Sequence, residues 1–472
     1  MRPHRLFPVF AAFLVLWACG KEEPTPSPDD LMPKAPTEIT LSASALTAAQ
    51  AGETLTLDVK APFVPRLSGL PSWVTASQGT FENYQVTLLF EVSANETYQE
   101  RSAVITVASG PSLTKTVELK QPGATAPDPP APGQIDPDLT NANASEAAKK
   151  VYSFLLDSNG NKMVSGVQAG GTANNNERLE QVYELTGKHP ALSGYDFIFL
   201  QYSPTPSSWN WKVDYGDISA AREQWQKNGL VSYMWHWNVP SSQAAWEKGK
   251  DGDFSGYNFY SDKTSFSITN ALTAGTWEND FILQDIEKVA GYLKLLQQED
   301  IPVLWRPLHE AAGNYNVYGS NGAWFWWGRG GSDACKQLWI LLREKLEGEY
   351  GLDNLIWVWT LDATRGAESQ YADWYPGNDQ VDIVGVDIYE ENTDAKQRQY
   401  QAAVNLSGGH KMVTVSECGN IPDPTKCAAN GEKWSWFMTW DLESYPLNTQ
   451  AYWKQLMSSS RVLSREQMPS LK

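Results

Sequence analysis

Two glutamates stand out by where they fall. Glu310 follows Pro302-Val303-Leu304-Trp305-Arg306-Pro307-Leu308-His309, and Glu417 closes Lys411-Met412-Val413-Thr414-Val415-Ser416. Each apolar run reads as a buried strand with a carboxylate at its C-terminal end. If both strands belong to one barrel, the two carboxylates face each other across its mouth. That is the arrangement glycoside hydrolysis uses: one carboxyl group protonated to donate to a leaving oxygen, the other ionised to attack the sugar. A glutamate at a loop start is often only a surface charge. Two of them on the chemically useful ends of strands favour the functional reading.

The elements needed to hold such a pair are present after residue 140. Strand candidates are Met163–Val167, Ala191–Tyr195, Leu230–His236, Pro302–His309, Leu355–Thr360, Val381–Tyr389, Lys411–Glu417 and Ser435–Trp440. Helical periodicity falls between them at Asn176–Thr186, Asp217–Lys227, Phe281–Glu299, Asp333–Glu349 and Asp394–Val404, and after the last strand at Thr449–Ser458. The helical signal is weak after the fifth and seventh strands. Strand and helix in alternation predict an α/β domain, a (β/α)8 TIM barrel over residues 144–472, with the site at the C-terminal ends of its strands.

Upstream, the pattern changes. Thr54–Val59, Val86–Val92, Ala103–Val107 and Thr116–Leu119 alternate apolar and polar residues, which predicts a small all-β sandwich over 37–122. Proline-rich linkers flank it at 19–36 and 123–143. Residues 1–18 carry Arg2 and Arg5 and then an apolar run too short to span a bilayer, so they read as a removed signal peptide. Leu16-Trp17-Ala18-Cys19 resembles a bacterial lipobox, which implies lipidation at Cys19 and a lipid anchor to the membrane. Lys21-Glu22-Glu23 resembles the signal that sends some lipoproteins to the outer face of the outer membrane; a periplasmic location is the alternative.

Composition narrows the partners. With 37 Lys+Arg against 55 Asp+Glu the formal net charge is −18, which argues against nucleic acid and anionic membrane surface and favours a neutral ligand. Of 21 tryptophans, 19 lie from Trp209 to Trp453, more than a core needs; tryptophan offers a flat apolar face suited to sugar rings. The five histidines are scattered and no CxxC or HExxH spacing occurs, so no metal site is expected; hydrolysis by two carboxyl groups requires no cofactor either. Cys335, Cys418 and Cys427 allow at most one disulfide, with Cys418 and Cys427 nearest in sequence, or none if all three are reduced and buried.

From about residue 145 to 460 the chain resembles glycoside hydrolase family 26, typically β-mannanases. The resemblance rests on Arg306-Pro307-Leu308-His309-Glu310 followed by Trp324-Phe325-Trp326-Trp327-Gly328. Trp235-His236-Trp237-Asn238-Val239-Pro240, Gly275-Thr276-Trp277-Glu278-Asn279, Val384-Gly385-Val386-Asp387-Ile388-Tyr389 and Val415-Ser416-Glu417 support it. It implies Glu310 as acid/base, Glu417 as nucleophile and net retention. It further implies His309 beside the acid/base, His236 lining the same site, Tyr389 hydrogen-bonded to the nucleophile, Trp440 as a sugar platform on the glycone side and Trp324 as the aromatic on the leaving-group side. Trp326, Trp327, Trp357 and Trp359 are expected to pack the barrel. Two features depart from the family: thirteen residues, Ala311–Ala323, separate Glu310 from Trp324, and Asp441 follows Trp440 where some mannanases carry Arg.

Pro71-Ser72-Trp73-Val74, the turn from Asn95 to Arg101 and Val117–Pro122 resemble the BACON domain, in which Trp73 is expected to be core. The function implied is a monomeric endo-β-1,4-mannanase acting on mannan, glucomannan or galactomannan. Alternatives within the resemblance are a β-1,3-1,4-glucanase, a β-1,3-xylanase and an exo-acting mannobiohydrolase. A surface glycan-binding protein without turnover is the alternative from another class.

Overall fold

The computed structural model describes residues 34–71, 73–95, 100–123, 135–170, 175–206, 208, 212–311, 323–362 and 371–472. The signal peptide, Cys19, Trp209, Trp211 and residues 312–322 of the Ala311–Ala323 stretch lie outside these. The chain divides into two compact units, residues 1–124 and 125–472.

Among the described residues of the first unit, eight strands form two four-stranded sheets. Alternation does the work here: in Gln85–Val92, Val86, Leu88, Phe90 and Val92 point inward while their neighbours are more exposed. They meet Leu57, Val59, Ile105, Val107, Val117 and Leu119 from the other strands in one core. Trp73 lies partly buried against that core, with the Arg101 guanidinium 4.4 Å above its ring.

The second unit is a closed barrel of eight parallel strands: Met163–Gln168, Leu192–Asp196, Leu230–Met234, Val303–Arg306, Leu355–Asp362, Ile383–Ile388, Met412–Cys418 and Trp434–Thr439. Pairing of the eighth strand with the first, and of the first with the second, closes the ring. All eight expected strands are present, with ends shifted by a few residues. Their residues are almost uniformly buried, as strands covered on both faces require. The six expected helices form, the longest being Trp277–Gln297. Where the helical signal fades, after strands five and seven, the helices are short: Tyr371–Trp374 and Pro424–Ala429. A helix before the first strand, Glu146–Ser158, completes the layer.

Residues 135–143, read from the sequence as the end of a linker, pack on the barrel. Leu139 joins its core, and Thr140 donates to Asp382 Oδ1 through both N–H and hydroxyl. Cys335, Cys418 and Cys427 are all free and buried, so the pairing of Cys418 with Cys427 allowed by the sequence does not occur. Among the described residues, no helix is long and apolar enough to cross a membrane.

Candidate active site

The strand ends place Arg306, Glu310, Asp362, Asp387 and Glu417 together where a barrel does its chemistry. Asp362, Asp387 and Glu417 lie in register across the fifth, sixth and seventh strands. Irregularities in pairing beside Asp387 and Glu417 re-aim these residues. Gly385 lets the strands close up below them, since a Cβ there would come within 2.7 Å of the Ser416 and Thr360 hydroxyls.

Arg306, ending the fourth strand, is 2% exposed and binds two of these acids. Its Nη1 donates to Asp387 Oδ2 at 2.8 Å and its Nη2 to Glu417 Oε2 at 2.5 Å. Ser416 Oγ donates to the other oxygen of Asp387 at 2.7 Å, and the Tyr389 hydroxyl donates to Glu417 Oε1. Burial, with the neighbouring Glu417 charge, pushes the Tyr389 phenol well above its usual range, so it keeps the proton it donates. Both oxygens of Glu417 therefore act as acceptors, one of them toward a cation.

Glu310 stands opposite in a different environment. The chain leaves the fourth strand through Leu308 and Glu310, both with left-handed backbone (φ 50° and 51°), conformations that cost energy in non-glycine residues and cluster at functional sites. Its N–H is tied to Thr360 O at 3.2 Å. Burial first, and then the charges of Asp387, Asp362 and Glu417, hold its carboxyl well above the usual carboxylate range, with Arg306 opposing. One oxygen each of Glu310, Asp387 and Glu417 lie within 4.8 Å of one another. Among the described residues this is the one acidic group spaced to hold a cation, and Arg306 already binds two of its three members.

The remaining sequence-predicted residues gather around the pair. His309 is buried, with its Nε2 3.3 Å from His236 Nε2. Burial, then His236 and Arg306, push its imidazole well below its ordinary value, so it is neutral at neutral pH. Trp440, half-buried after the eighth strand, stands 5.8 Å from the His236 ring at 61°. Its carbonyl accepts from Arg178 Nη1 at 3.0 Å. Trp324 is half-buried and stacks on Phe325, with centroids 5.7 Å apart. The long excursion after the third strand returns to the site: Phe259 reaches within 5.0 Å of His236, and the Ser261 N–H holds Trp324 O at 3.0 Å. Ala311 and Ala323 both approach Gly328, where a Cβ would meet them at 2.1 Å and 2.3 Å, so both ends of the stretch after Glu310 are fixed. Trp326, Trp327, Trp357 and Trp359 are buried in the barrel, as expected.

Sequence reasoning gave no role to Arg306, Asp387, Asp362 or Asp196. The first two sat inside quoted motifs, and their signal was available: a charge inside Val303-Leu304-Trp305-Arg306 or Val384-Gly385-Val386-Asp387 is rarely buried without a partner.

A closed parallel barrel with paired carboxyl groups from its fourth and seventh strands, one neutralised by burial and one held by an arginine and a tyrosine, is the architecture of a (β/α)8 glycoside hydrolase. The model of glycosyl hydrolase family 26 matches residues 140–466, and the chain belongs to that family. The model of the BACON domain, a putative N-terminal binding domain, matches residues 69–121.

Among relatives, the chain is 35% identical over 349 residues to the mannan endo-1,4-beta-mannosidase A of Piromyces sp, covering 71% of this chain and 51% of that protein. It is 33% identical over 351 residues to the mannan endo-1,4-beta-mannosidase of Thermothelomyces thermophilus, covering 72% and 66%. The chain thus spans about half to two thirds of the length of these relatives. Among solved structures, it is similar to the family 26 domain of an endo-beta-mannanase/endo-beta-glucanase from Prevotella bryantii, at 37% identity and a TM-score of 0.62, covering 71% of this chain and 99% of that one. A beta-mannanase from a symbiotic protist of the termite Reticulitermes speratus, solved with gluco-manno-oligosaccharide, is 34% identical with a TM-score of 0.60, covering 71% and 98%.

Proposed function

We propose that the chain is a retaining endo-β-1,4-mannanase. The observation that carries this is the approach of Glu310 and Glu417, whose nearest oxygens lie within 4.8 Å, in opposite electrostatic environments. Retaining glycosidases hold their two carboxyl groups about 5–5.5 Å apart, whereas inverting ones leave roughly 6.5–9.5 Å for a water. Glu310, held protonated, donates to the glycosidic oxygen as Glu417 attacks the anomeric carbon and forms a glycosyl ester. Glu310, now ionised, takes a proton from water, and that water releases the sugar from Glu417. Arg306 and the Tyr389 hydroxyl stay on the two oxygens of Glu417 and aim the attacking lone pair. His236, Trp440 and Trp324 form the walls that receive the sugars.

Mannan as substrate is supported by the relatives above. One preparation assayed on galactomannan, glucomannan and barley β-glucan tests it, with products resolved by length. Random mid-chain cleavage of the first two supports the proposal; release of mannobiose alone would make the enzyme exo-acting. Cleavage of barley β-glucan alone would replace the substrate, and binding without any cleavage would make it a glycan receptor.

We further propose a lipid anchor at Cys19 and a cell-surface location on the outer membrane, from the lipobox-like sequence. Cys19→Ser is expected to release the protein from the membrane fraction. Protease treatment of intact cells separates a surface-exposed enzyme from a periplasmic one.

A further inference from the structure

The site contains a chain of contacts that the mechanism above does not use. It starts at Asp196, the last residue of the second barrel strand. Asp196 Oδ1 accepts the His236 backbone N–H at 2.9 Å, and Oδ2 lies 2.6 Å from His236 Nδ1. The opposite nitrogen of His236, Nε2, faces His309 Nε2 at 3.3 Å, with the rings crossed at 78°. The His309 carbonyl is held by Trp327 Nε1–H at 2.9 Å, and the next residue is Glu310. Three successive strands thus hand a contact round the barrel mouth toward the acid/base.

We infer that Asp196 is a positioning residue for the reaction, fixing the tautomers of both imidazoles and through them the seat of Glu310; this rests on the reading of Glu310 as acid/base. A carboxylate is only an acceptor, so it selects the Nδ1–H form of His236. In neutral His236, Nε2 is then a lone pair, and the proton between the two rings must come from His309 Nε2. His309 Nδ1 is left without hydrogen, which suits its surroundings: it is buried and has no hydrogen-bond partner among the described residues. The reverse arrangement would place an N–H at that atom with nothing to receive it, and a buried orphan donor is the costlier outcome. One carboxylate therefore determines which way two rings point their protons.

Asp196→Asn tests this without removing bulk. Its amide oxygen can still accept the His236 N–H, but its NH2 then faces Nδ1 and selects the Nε2–H form. Two N–H groups would meet between the rings unless His309 also switches. Long-range 1H–15N correlation reads imidazole tautomers directly, and the chain has only five histidines. The wild type is expected to show His236 as Nδ1–H and His309 as Nε2–H. The variant is expected to show His236 as Nε2–H, with kcat on manno-oligosaccharides reduced by about 10-fold or more and KM changed little, since a displaced catalytic group costs turnover more than binding.

A wild type with the opposite tautomers overturns the inference, whether or not any variant folds. So does a variant whose activity falls only in step with its thermal stability while its tautomers stay as in the wild type. Failure of the proposed function would appear elsewhere, as a wild type that cleaves no mannan while its histidines still show the expected forms.

Discussion

Arg306 Nη2 lies 2.5 Å from Glu417 Oε2, and its Nη1 lies 2.8 Å from Asp387 Oδ2, so one buried guanidinium joins the proposed nucleophile to an acid one strand away. The two N–H bonds fix the direction of Glu417 as well as its distance. Losing the fork leaves two buried acids side by side with no cation between them. Arg306→Met is therefore expected to lower unfolding stability by about 3–5 kcal/mol at pH 7, measured by urea denaturation, because it removes the cation from two buried carboxylates and leaves them only the Tyr389 and Ser416 hydroxyls. Arg306→Lys should recover much of that stability and little of the turnover, since an ammonium keeps the charge but lacks the planar fork that fixes the direction of both acids. Wild-type stability in the methionine variant would show that the pair contributes nothing to the fold.

Glu310→Ala is expected to lose far more activity on polymeric mannan than on an aryl β-mannoside whose leaving group needs no proton. The raised pKa of Glu310 also fixes a sign. The protonated form is the working acid, so wild-type kcat/KM should fall as pH rises through that pKa, and the alkaline limb should vanish in Glu310→Ala. Equal losses on both substrates would assign Glu310 a structural role.

Asp285 gives a stability test away from the site. It is buried on the helix Trp277–Gln297, where its Oδ2 accepts Trp237 Nε1–H at 2.8 Å, and burial raises its pKa from 3.8 to about 7, against the pull of Trp237 and Lys288. The fold prefers its protonated form. Its contribution is therefore complete below pH 3.8 and lost as pH rises through about 7. Asp285→Asn, which keeps an acceptor and carries no charge, should gain stability relative to wild type between pH 4 and pH 8, by up to about 4 kcal/mol. A stability difference independent of pH would mean that Asp285 is ionised throughout.

Trp440→Ala separates a sugar platform from a core residue. As a platform it is expected to weaken binding and lower turnover, with a contact worth about 1 kcal/mol beyond the area it buries. Truncating a core tryptophan would instead cost about 3–5 kcal/mol of stability. A large fall in melting temperature with normal turnover in the folded fraction would rule the platform out.

The barrel was legible because its strands are apolar on both faces and its helices carry a 3.6-residue period; the same logic explains the weak places, where Tyr371–Trp374 and Pro424–Ala429 are too short for a period to show. Glu310 and Glu417 were legible because each follows an apolar run. The electrostatics that separate them were not. Arg306, Asp362 and Asp387 come from three strands, and their proximity depends on register, on the pairing irregularities beside Asp387 and Glu417, and on Gly385. Asp196 has no distinguishing neighbour in sequence; its partner lies forty residues away. The end of the second linker was misplaced for a related reason: Thr140 is held by Asp382, from the far side of the chain.

The central claim is that Glu417 forms the bond to the sugar. Glu417→Ala is expected to fold, to lose turnover on aryl β-mannoside, and to regain it when azide enters the vacated space, giving the α-mannosyl azide identified by 1H NMR. Turnover near the wild-type level in this variant, or a rescued product that is the β-azide, would contradict the account.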